Sequence, residues 1–437
     1  MSKTYLLVDF GASRIKTAIL SRGSIMFVKE FSSIDAKIND NKYYEISAEK
    51  LKSFFLNLAQ NQYKEYSYAG ILISSEMHGF MLVDSKNKPL TDYISWKDER
   101  CLNEENIEEY NQFSNKFKSV FLKKTGLELK PCLPVTKIKA VANECKLKNF
   151  KVISLPEWLS CCSNLSLNIA NETMSAGLGF FNIIDKKWDE EIIGYFKEFN
   201  IEFNKVTDKI EIAGYFQYDN LNIPIFTGIG DFQAAISGAG CGKNIVNINL
   251  GTGSQVAKIC NTEGGIQIRP FFNNEKLSVI THIPSGRALN TYINFLKTIN
   301  NDINYWKIID SLNLEDVINS TLTFDLGVFS SAWNFSGFGK IDNILENNFT
   351  LQNFLASLLN SYLRQYVSAL KEICKDNNFN KIIISGGIAS KVGVIKDYFE
   401  YKYPNIDVII FKSVHDTTIL GLKKIAESID GENYVKN

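Results

Sequence analysis

The chain has no excess of charge of either sign. Across 437 residues, 48 Lys and Arg stand against 48 Asp and Glu, and the sequence pI is near 6.8. Without a basic field nothing gathers polyanions at long range, so neither a nucleic-acid nor a membrane partner is expected. Histidine is scarce: His78, His282 and His415 are the only three, none at ligand spacing from another, which argues against catalytic zinc. The eight cysteines form no C-x-x-C pair and only one adjacent couple, Cys161-Cys162, the pattern of free thiols in a reducing compartment. The opening apolar run is stopped by Asp9, too early for a secretory leader, and no run approaches the ~20 apolar residues of a membrane span. A cytoplasmic chain is the expectation. Low-complexity linkers and short-period repeats are also missing. With 45% hydrophobic and 22% charged residues the chain should fold, and its length suits two or three domains of about 100–200 residues each.

What is present reads as two similar halves. Tyr5–Val8, the turn-like Gly11-Ala12-Ser13-Arg14 and Thr17–Leu20 predict an opening β-hairpin. Ile71-Leu72-Ile73 predicts a buried strand with the polar cluster Ser74-Ser75-Glu76-Met77-His78-Gly79 at its carboxyl end, where ligands collect in open α/β sheets. Glu104–Lys124 reads as a solvated amphipathic helix. Turn chemistry at Asn220, Asn222 and Pro224 places a domain boundary there, dividing the chain into residues 1–224 and 225–437. The opening grammar then recurs. Ile245–Leu250 leads through Gly251-Thr252-Gly253-Ser254 into Val256–Ile259, a helical period covers Leu355–Lys375, and Ile382–Ile384 runs through Ser385-Gly386-Gly387-Ile388-Ala389-Ser390 into another helix. That last turn suits a phosphate or nucleoside.

A turn that holds polyphosphate needs open backbone N–H groups and small side chains. Gly11, Ser13 and Lys16 offer one such turn, and Gly251, Thr252, Gly253 and Ser254 another. Each alone is weak, since any hairpin can use glycine for positive φ. Their recurrence strengthens the reading. The Walker-A spacing G-x-x-x-x-G-K-[ST] is absent. Asp231 follows Gly228-Ile229-Gly230 and opens an apolar, small-residue helix, so it reads as an N-cap, as the general base of a phosphoryl transfer, or as both. His78 beside Glu76 and Met77 reads equally as a polyol contact or a satisfied loop histidine. Trp96-Lys97-Asp98-Glu99-Arg100 sets an aromatic wall beside acceptors and a fork donor, which suits a sugar and would also pass as a surface turn.

In order, these segments resemble the FGGY family of carbohydrate kinases, of the sugar kinase, heat-shock-protein and actin group of ATPases. Asp9-Phe10-Gly11-Ala12-Ser13-Arg14-Ile15-Lys16 is similar to the first phosphate motif, Ser75–Gly79 to a sugar-contacting Q-M-H-G segment, and Trp96–Arg100 to a W-x-D-x-R element. Leu155–Leu159 and Glu172–Ala176 resemble stretches that precede the crossover between lobes. Gly230-Asp231, Asn249–Gln255 and Ser385–Ser390 resemble the catalytic, second phosphate and adenosine motifs. Glu76 stands where the family usually has glutamine, and Ala12 where it commonly has threonine. His415–Gly421 is bulkier than the family's closing helix.

The resemblance implies an α/β protein of two actin-like (ribonuclease H-like) ATPase lobes around a central cleft, acting as an ATP- and Mg²⁺-dependent sugar kinase. Residues 1–224 would form the N-terminal lobe with the sugar site, and residues 225–437 the C-terminal lobe with the catalytic aspartate and nucleotide motifs. Asp231 would be the catalytic base, and Asp9 with Asp231 would serve the metal. Glu76, Met77, His78, Trp96, Asp98 and Phe232 would contact the sugar. Gly11, Ser13, Lys16, Gly251, Thr252, Gly253, Gly386, Gly387 and Ala389 would hold the nucleotide. Gly230-Asp231-Phe232-Gln233, the G-T-G-S-Q form and Ile268-Arg269-Pro270-Phe271-Phe272 look similar to the sedoheptulose-phosphorylating branch. Xylulose or another ketose or polyol is the alternative acceptor, and a non-catalytic nucleotide-gated sugar sensor a more distant one. The partners implied are the sugar and ATP, and a homodimer is allowed.

Overall fold

A computed structural model describes residues 3–39, 42–162, 165–251, 254–259, 266–375 and 378–435. It resolves into two compact units, the first made of residues 1–238, 267–276 and 415–437 and the second of residues 239–266 and 277–414.

The first unit is built on β1 (Tyr5–Phe10), β2 (Arg14–Ser21) and β3 (Ser24–Ser32), then α1 (Ala48–Tyr66), β4 (Ile71–Ser75), β5 (Ile212–Tyr218), β6 (Leu221–Phe226), β7 (Ile229–Gly230) and α2 (Asp231–Ala239). The strands lie in the order β5-β6-β4-β1-β2-β3, with β7 also paired to β4. The predicted opening hairpin is present: β1 and β2 are antiparallel, with Asp9 opposite Lys16. Central β1 is apolar on both faces, as a sheet covered on both sides requires. Leu6, Val8 and Phe10 pack with α1 residues Leu51 and Phe55 on one side, and Tyr5 and Leu7 pack with Leu72 and Ala234 on the other. By strand alternation Asp9 falls on the Tyr5 and Leu7 face, which a charged residue occupies only for a reason.

Division of the chain at residues 224 and 225 is not how these units fall. Ile229 and Gly230 pair in parallel with Ser74 and Ser75, so β7 and the helix that follows it stay with the first sheet. Parallel pairing there carries Asp231 to the same end of the sheet as the Ser74–His78 cluster. Glu104–Lys124 also differs from a single solvated helix. It forms two helices, Ile107–Phe117 and Phe121–Thr125, whose Phe113, Phe117 and Phe121 are buried in a separate aromatic cluster with Phe80 and Phe196.

The second unit carries β8 (Ile245–Leu250), β9 (Ser254–Ile259), β10 (Lys276–Ile283), α3 (Gly286–Ile299), α4 (Leu351–Ile373), β11 (Lys381–Ser385) and β12 (Asp407–Ile410), with strand order β10-β9-β8-β11-β12. Leu355, Leu358, Leu359, Tyr362 and Tyr366 of α4 supply much of its core. The helix expected directly after β11 begins only at Val394, because Gly386 takes φ 104°, a left-handed conformation that opens a turn instead.

The closing helix α5 (Thr417–Val435) returns to the first unit. Its bulk is accommodated by two glycines at the crossing with α2. A Cβ on Gly238 would lie 1.8 Å from the Thr417 carbonyl oxygen, and one on Gly421 2.0 Å from that of Ala234. Since backbone cannot yield as a flexible side chain does, Gly421→Val should lower the unfolding free energy by about 3 kcal/mol, measured by urea denaturation. A change within experimental error would show that the two helices do not need this close approach.

Candidate active site

At the carboxyl end of the first unit's sheet, charged groups gather that the strands alone do not explain. Asp9 is 3% exposed and accepts a hydrogen bond from the Ser74 hydroxyl at 2.9 Å. Burial pushes its carboxyl up to about 8, helped by the charges of Asp231 and Asp416 and opposed by Lys16. Asp231 keeps part of its surface open at the head of α2, and its Oδ1 accepts the Phe232 N–H at 2.7 Å. Dense packing around the carboxyl raises it to about 7; the Phe232 N–H opposes the shift, as do Arg269 and Lys16, while Glu76 adds to it. The residue before it is fixed from behind, since Thr173 Oγ1 donates to Asn171 at 2.7 Å and accepts the Gly230 N–H at 3.3 Å. Asp231 is therefore a helix-opening residue that also presents a carboxyl able to change protonation near neutrality.

Lys16 does not stand free. Its ammonium pairs with Asp416 at 2.6 Å, and Asp416 also accepts the Thr418 N–H at the start of α5. Gly11 donates its N–H to the Arg14 carbonyl at 3.1 Å, closing the turn, and Ser13 is exposed beside it.

Glu76 is 6% exposed, and its Oε1 accepts from both Tyr93 and Ser95 hydroxyls at 2.9 Å. Burial raises its pKa against those hydrogen bonds. Met77 lies beside Gly230, whose Cβ would come 3.0 Å from its sulfur. His78 adopts φ 65° and its Nδ1 lies 2.8 Å from the Gly177 carbonyl oxygen. A β-unbranched but bulky residue held there is a strained position, the kind that clusters at ligand sites. Trp96 is 37% exposed and Phe232 8%.

Asp98 differs from its expected place as a sugar contact. Its side chain is fully buried, with Oδ1 accepting from Arg100 N and Nε and Oδ2 from Arg100 Nη2 and Tyr44 N. Four donors fill its acceptor capacity. Arg100 reaches further to Glu45 and Glu144 and lies 4.0 Å over the Tyr43 ring. The loop is pinned again by Lys137, fully buried, which donates to the Ser95 and Asp98 carbonyls at 3.0 Å each. Asp98 thus shapes the loop that carries Trp96 and Lys97. Lys97 itself donates to the Ala12 carbonyl at 3.1 Å, linking that loop to the first turn.

Sequence reasoning missed Lys97, Lys137, Thr173, Arg269 and Asp416 as parts of this region. Lys97, Arg269 and Asp416 lie inside quoted motifs, so their positions were visible but not their partners. Lys137 sits in a helix with no marking pattern.

In the second unit a cavity of about 1270 Å³ is lined by Gly251, Gly286, Arg287, Trp306, Gly387 and Lys391, among others. Its small-residue end is tightly built. Ser285 Oγ donates to the Gly251 carbonyl at 2.8 Å, Ile388 N donates to the Leu250 carbonyl at 3.2 Å, and a Cβ on Gly386 would meet that same carbonyl oxygen at 2.4 Å. Gly387 thus faces the cavity, whereas Ala389 packs into the unit's core. Thr252 and Gly253 lie outside the described residues. Polar backbone at one end and an indole at the other suit a nucleotide.

Asp9, buried, and Asp231, half-buried, have proton affinities raised first by desolvation and then by neighbouring carboxylates, and such a pair fits a divalent cation such as Mg²⁺. No group of three or more His, Cys, Asp or Glu at metal-binding spacing exists among the described residues, so most ligands would be water or phosphate, as this ion prefers.

Residues 4–238 match the FGGY family of carbohydrate kinases, N-terminal domain, and the chain belongs to that family. It is similar to a gluconokinase of Bacillus subtilis, 25% identical over 282 residues that cover 61% of this chain and 52% of the relative. The chain spans about half the length of the curated relatives it matches. Its fold matches a ligand-bound xylulose kinase from Lactobacillus acidophilus at a TM-score of 0.82, with 15% identity over 98% of this chain and 90% of that one. A Plasmodium falciparum glycerol kinase with ADP matches at 0.79, with 18% identity over 98% and 89%. These likenesses bear out the two-lobed α/β expectation. No described helix is long and apolar enough to cross a membrane.

Both raised carboxyls bind protons more tightly in the folded chain than in the unfolded one. Their contribution is therefore fully present below about pH 4 and lost as pH rises through their folded values of about 7 and 8. The urea midpoint of metal- and nucleotide-free protein should fall between about pH 5 and 8, and Asp9→Asn should flatten that fall. Equal slopes in both proteins would contradict the placement of Asp9.

Proposed function

We propose that the chain transfers the γ-phosphoryl group of ATP to a hydroxyl of a sugar or polyol. The observation that carries this reading is Asp231: a carboxyl at a helix head, open on one side, with a proton affinity near neutrality and set at the same sheet end as Glu76, Met77 and His78. As the acceptor oxygen bonds to phosphorus, the β–γ bridging bond of ATP breaks, ADP leaves, and Asp231 takes the hydroxyl proton. Asp9 and Asp231 would hold Mg²⁺, which supplies charge to the phosphate oxygens when bound. Glu76 and His78 would orient the acceptor, with Trp96 as an apolar wall and Met77 and Phe232 packed behind. Gly251 and Gly387 would let phosphate and nucleoside lie against backbone, with Ser13 at the first turn. Lys16 contributes by holding Asp416 as well as by its charge beside Asp9.

The relatives are named for gluconate, glycerol and xylulose, and they support the wider ketose or polyol reading rather than sedoheptulose in particular. A cytoplasmic location accompanies the proposal, since ATP and sugar are found there.

Asp231→Asn keeps the shape and removes the base. Acceptor-dependent ADP release should fall by about 10³-fold while ATP still binds, read by coupled ADP detection and nucleotide titration. Turnover within a few-fold of the parent would end the assignment.

A further inference from the structure

Among the described residues Arg269 is a cation without a counter-ion. The residue is 7% exposed, yet Nη1 reaches the Met77 sulfur at 3.5 Å, Nη2 reaches the neutral Gln267 Oε1 at 3.3 Å, and buried Nε has no partner among the described residues. No described carboxylate lies within the 4.0 Å of an ion pair. Buried charges are ordinarily paired, because desolvation is otherwise uncompensated. Two carboxylates act on Arg269 from a distance: Glu128, already neutralised by Lys130 at 2.7 Å, and Asp231. Its surroundings belong to the acceptor side. Met77 joins it to Gly230, the Phe232 ring lies 5.3 Å from it, and Gln233, whose Nε2 donates to the Pro270 carbonyl, leaves a buried Oε1 unpaired nearby. Lys97 is a second cation on this side with no described carboxylate in ion-pair range, its ammonium being held by the Ala12 carbonyl and the Tyr44 hydroxyl.

A neutral hydroxyl fills one donor of a guanidinium but leaves its charge bare. A carboxylate matches both the charge and the planar fork. We propose that Arg269 is a specificity-determining residue that receives a carboxylate of the acceptor, so that the preferred substrate class is a polyhydroxy acid of the aldonate kind. This rests on the kinase reading above. Arg269 and Asp231 influence each other without forming an ion pair, so the two ends of such an acid can address them separately. The cost of burial, which lowers the guanidinium's own proton affinity, is then offset by the opposite charge of the acid.

The test compares each acid with its reduced, neutral counterpart in the full chain with MgATP: D-gluconate against D-glucitol, and D-xylonate against xylitol, with glycerol and D-xylulose alongside. At least one acid should exceed its neutral partner in kcat/KM by more than about tenfold, chiefly through KM. Arg269→Gln should lower kcat/KM for that acid about 100-fold more than for the neutral partner, with Arg269→Lys falling between. Thermal midpoints near the parent's show that the variants are folded, and a variant that fails this check is replaced by the substrate pairs on the parent protein, which decide alone. Neutral partners preferred throughout, or equal losses on acid and neutral substrates with a displaced pH profile, would overturn the proposal and show that Arg269 serves Asp231 instead. Turnover of glycerol or xylulose but of neither acid overturns it while the kinase reading stands. No ADP release with any compound takes down both.

Discussion

Charge held at the buried end of a sheet governs the first unit. Asp9 and Asp231 arrive on neighbouring parts of one sheet, by β1 and by the parallel pairing of β7 with β4; the Asp231 charge adds to the raised proton affinity of Asp9, and the Glu76 charge to that of Asp231. Carboxyls so placed oppose the folded state at neutral pH, and perturbations of this kind cluster at functional sites. Lys16 relieves part of the strain, but Asp416 claims the same ammonium, so the relief is incomplete. That incomplete relief is the feature on which the proposed metal and proton-accepting roles of this end of the sheet rest.

Around that centre the protein spends side chains on rigidity. Asp98, Arg100 and Lys137 together hold the loop between β4 and the aromatic cluster by side-chain and carbonyl contacts, none of them aimed at open space. Glu76 is gripped by two hydroxyls, and Gly230 by Thr173. Supporting contacts of this kind are what the proposed transfer would need to keep its groups in a narrow geometry. Cations are distributed unevenly over the same region: among the described residues Arg100 is matched with three carboxylates and Arg269 with none.

Much of the fold was legible because strands β1, β2, β4, β8 and β11 are short apolar runs followed closely by glycine or acidic residues in turns. The place of Asp231 at the head of a helix was legible for the same reason. What local pattern could not reveal was pairing over long sequence distances. Nothing in Trp96–Arg100 says that Asp98 is consumed by Arg100 and Tyr44, nor in His415–Gly421 that Asp416 meets Lys16, 400 residues away. The helix at Glu104–Lys124 looked solvated because its charges outnumber its three buried phenylalanines, which matter only once Phe80 and Phe196 are brought near. The boundary between units followed turn residues at 220–224, whereas the chain obeys the β7 pairing a few residues later.

The most direct measurement is a carboxyl-carbon NMR titration of aspartate-labelled protein without metal or nucleotide, with the Asp9 and Asp231 signals assigned by their loss in Asp9→Asn and Asp231→Asn. A transition near pH 7 for Asp231, and one near pH 8 for Asp9 that moves to lower pH in Asp231→Asn, is the expected result. Transitions near pH 4 for both, with Asp9 unmoved by the Asp231 substitution, would mean that the two carboxyls do not share one field and that Asp231 is an ordinary helix-opening residue.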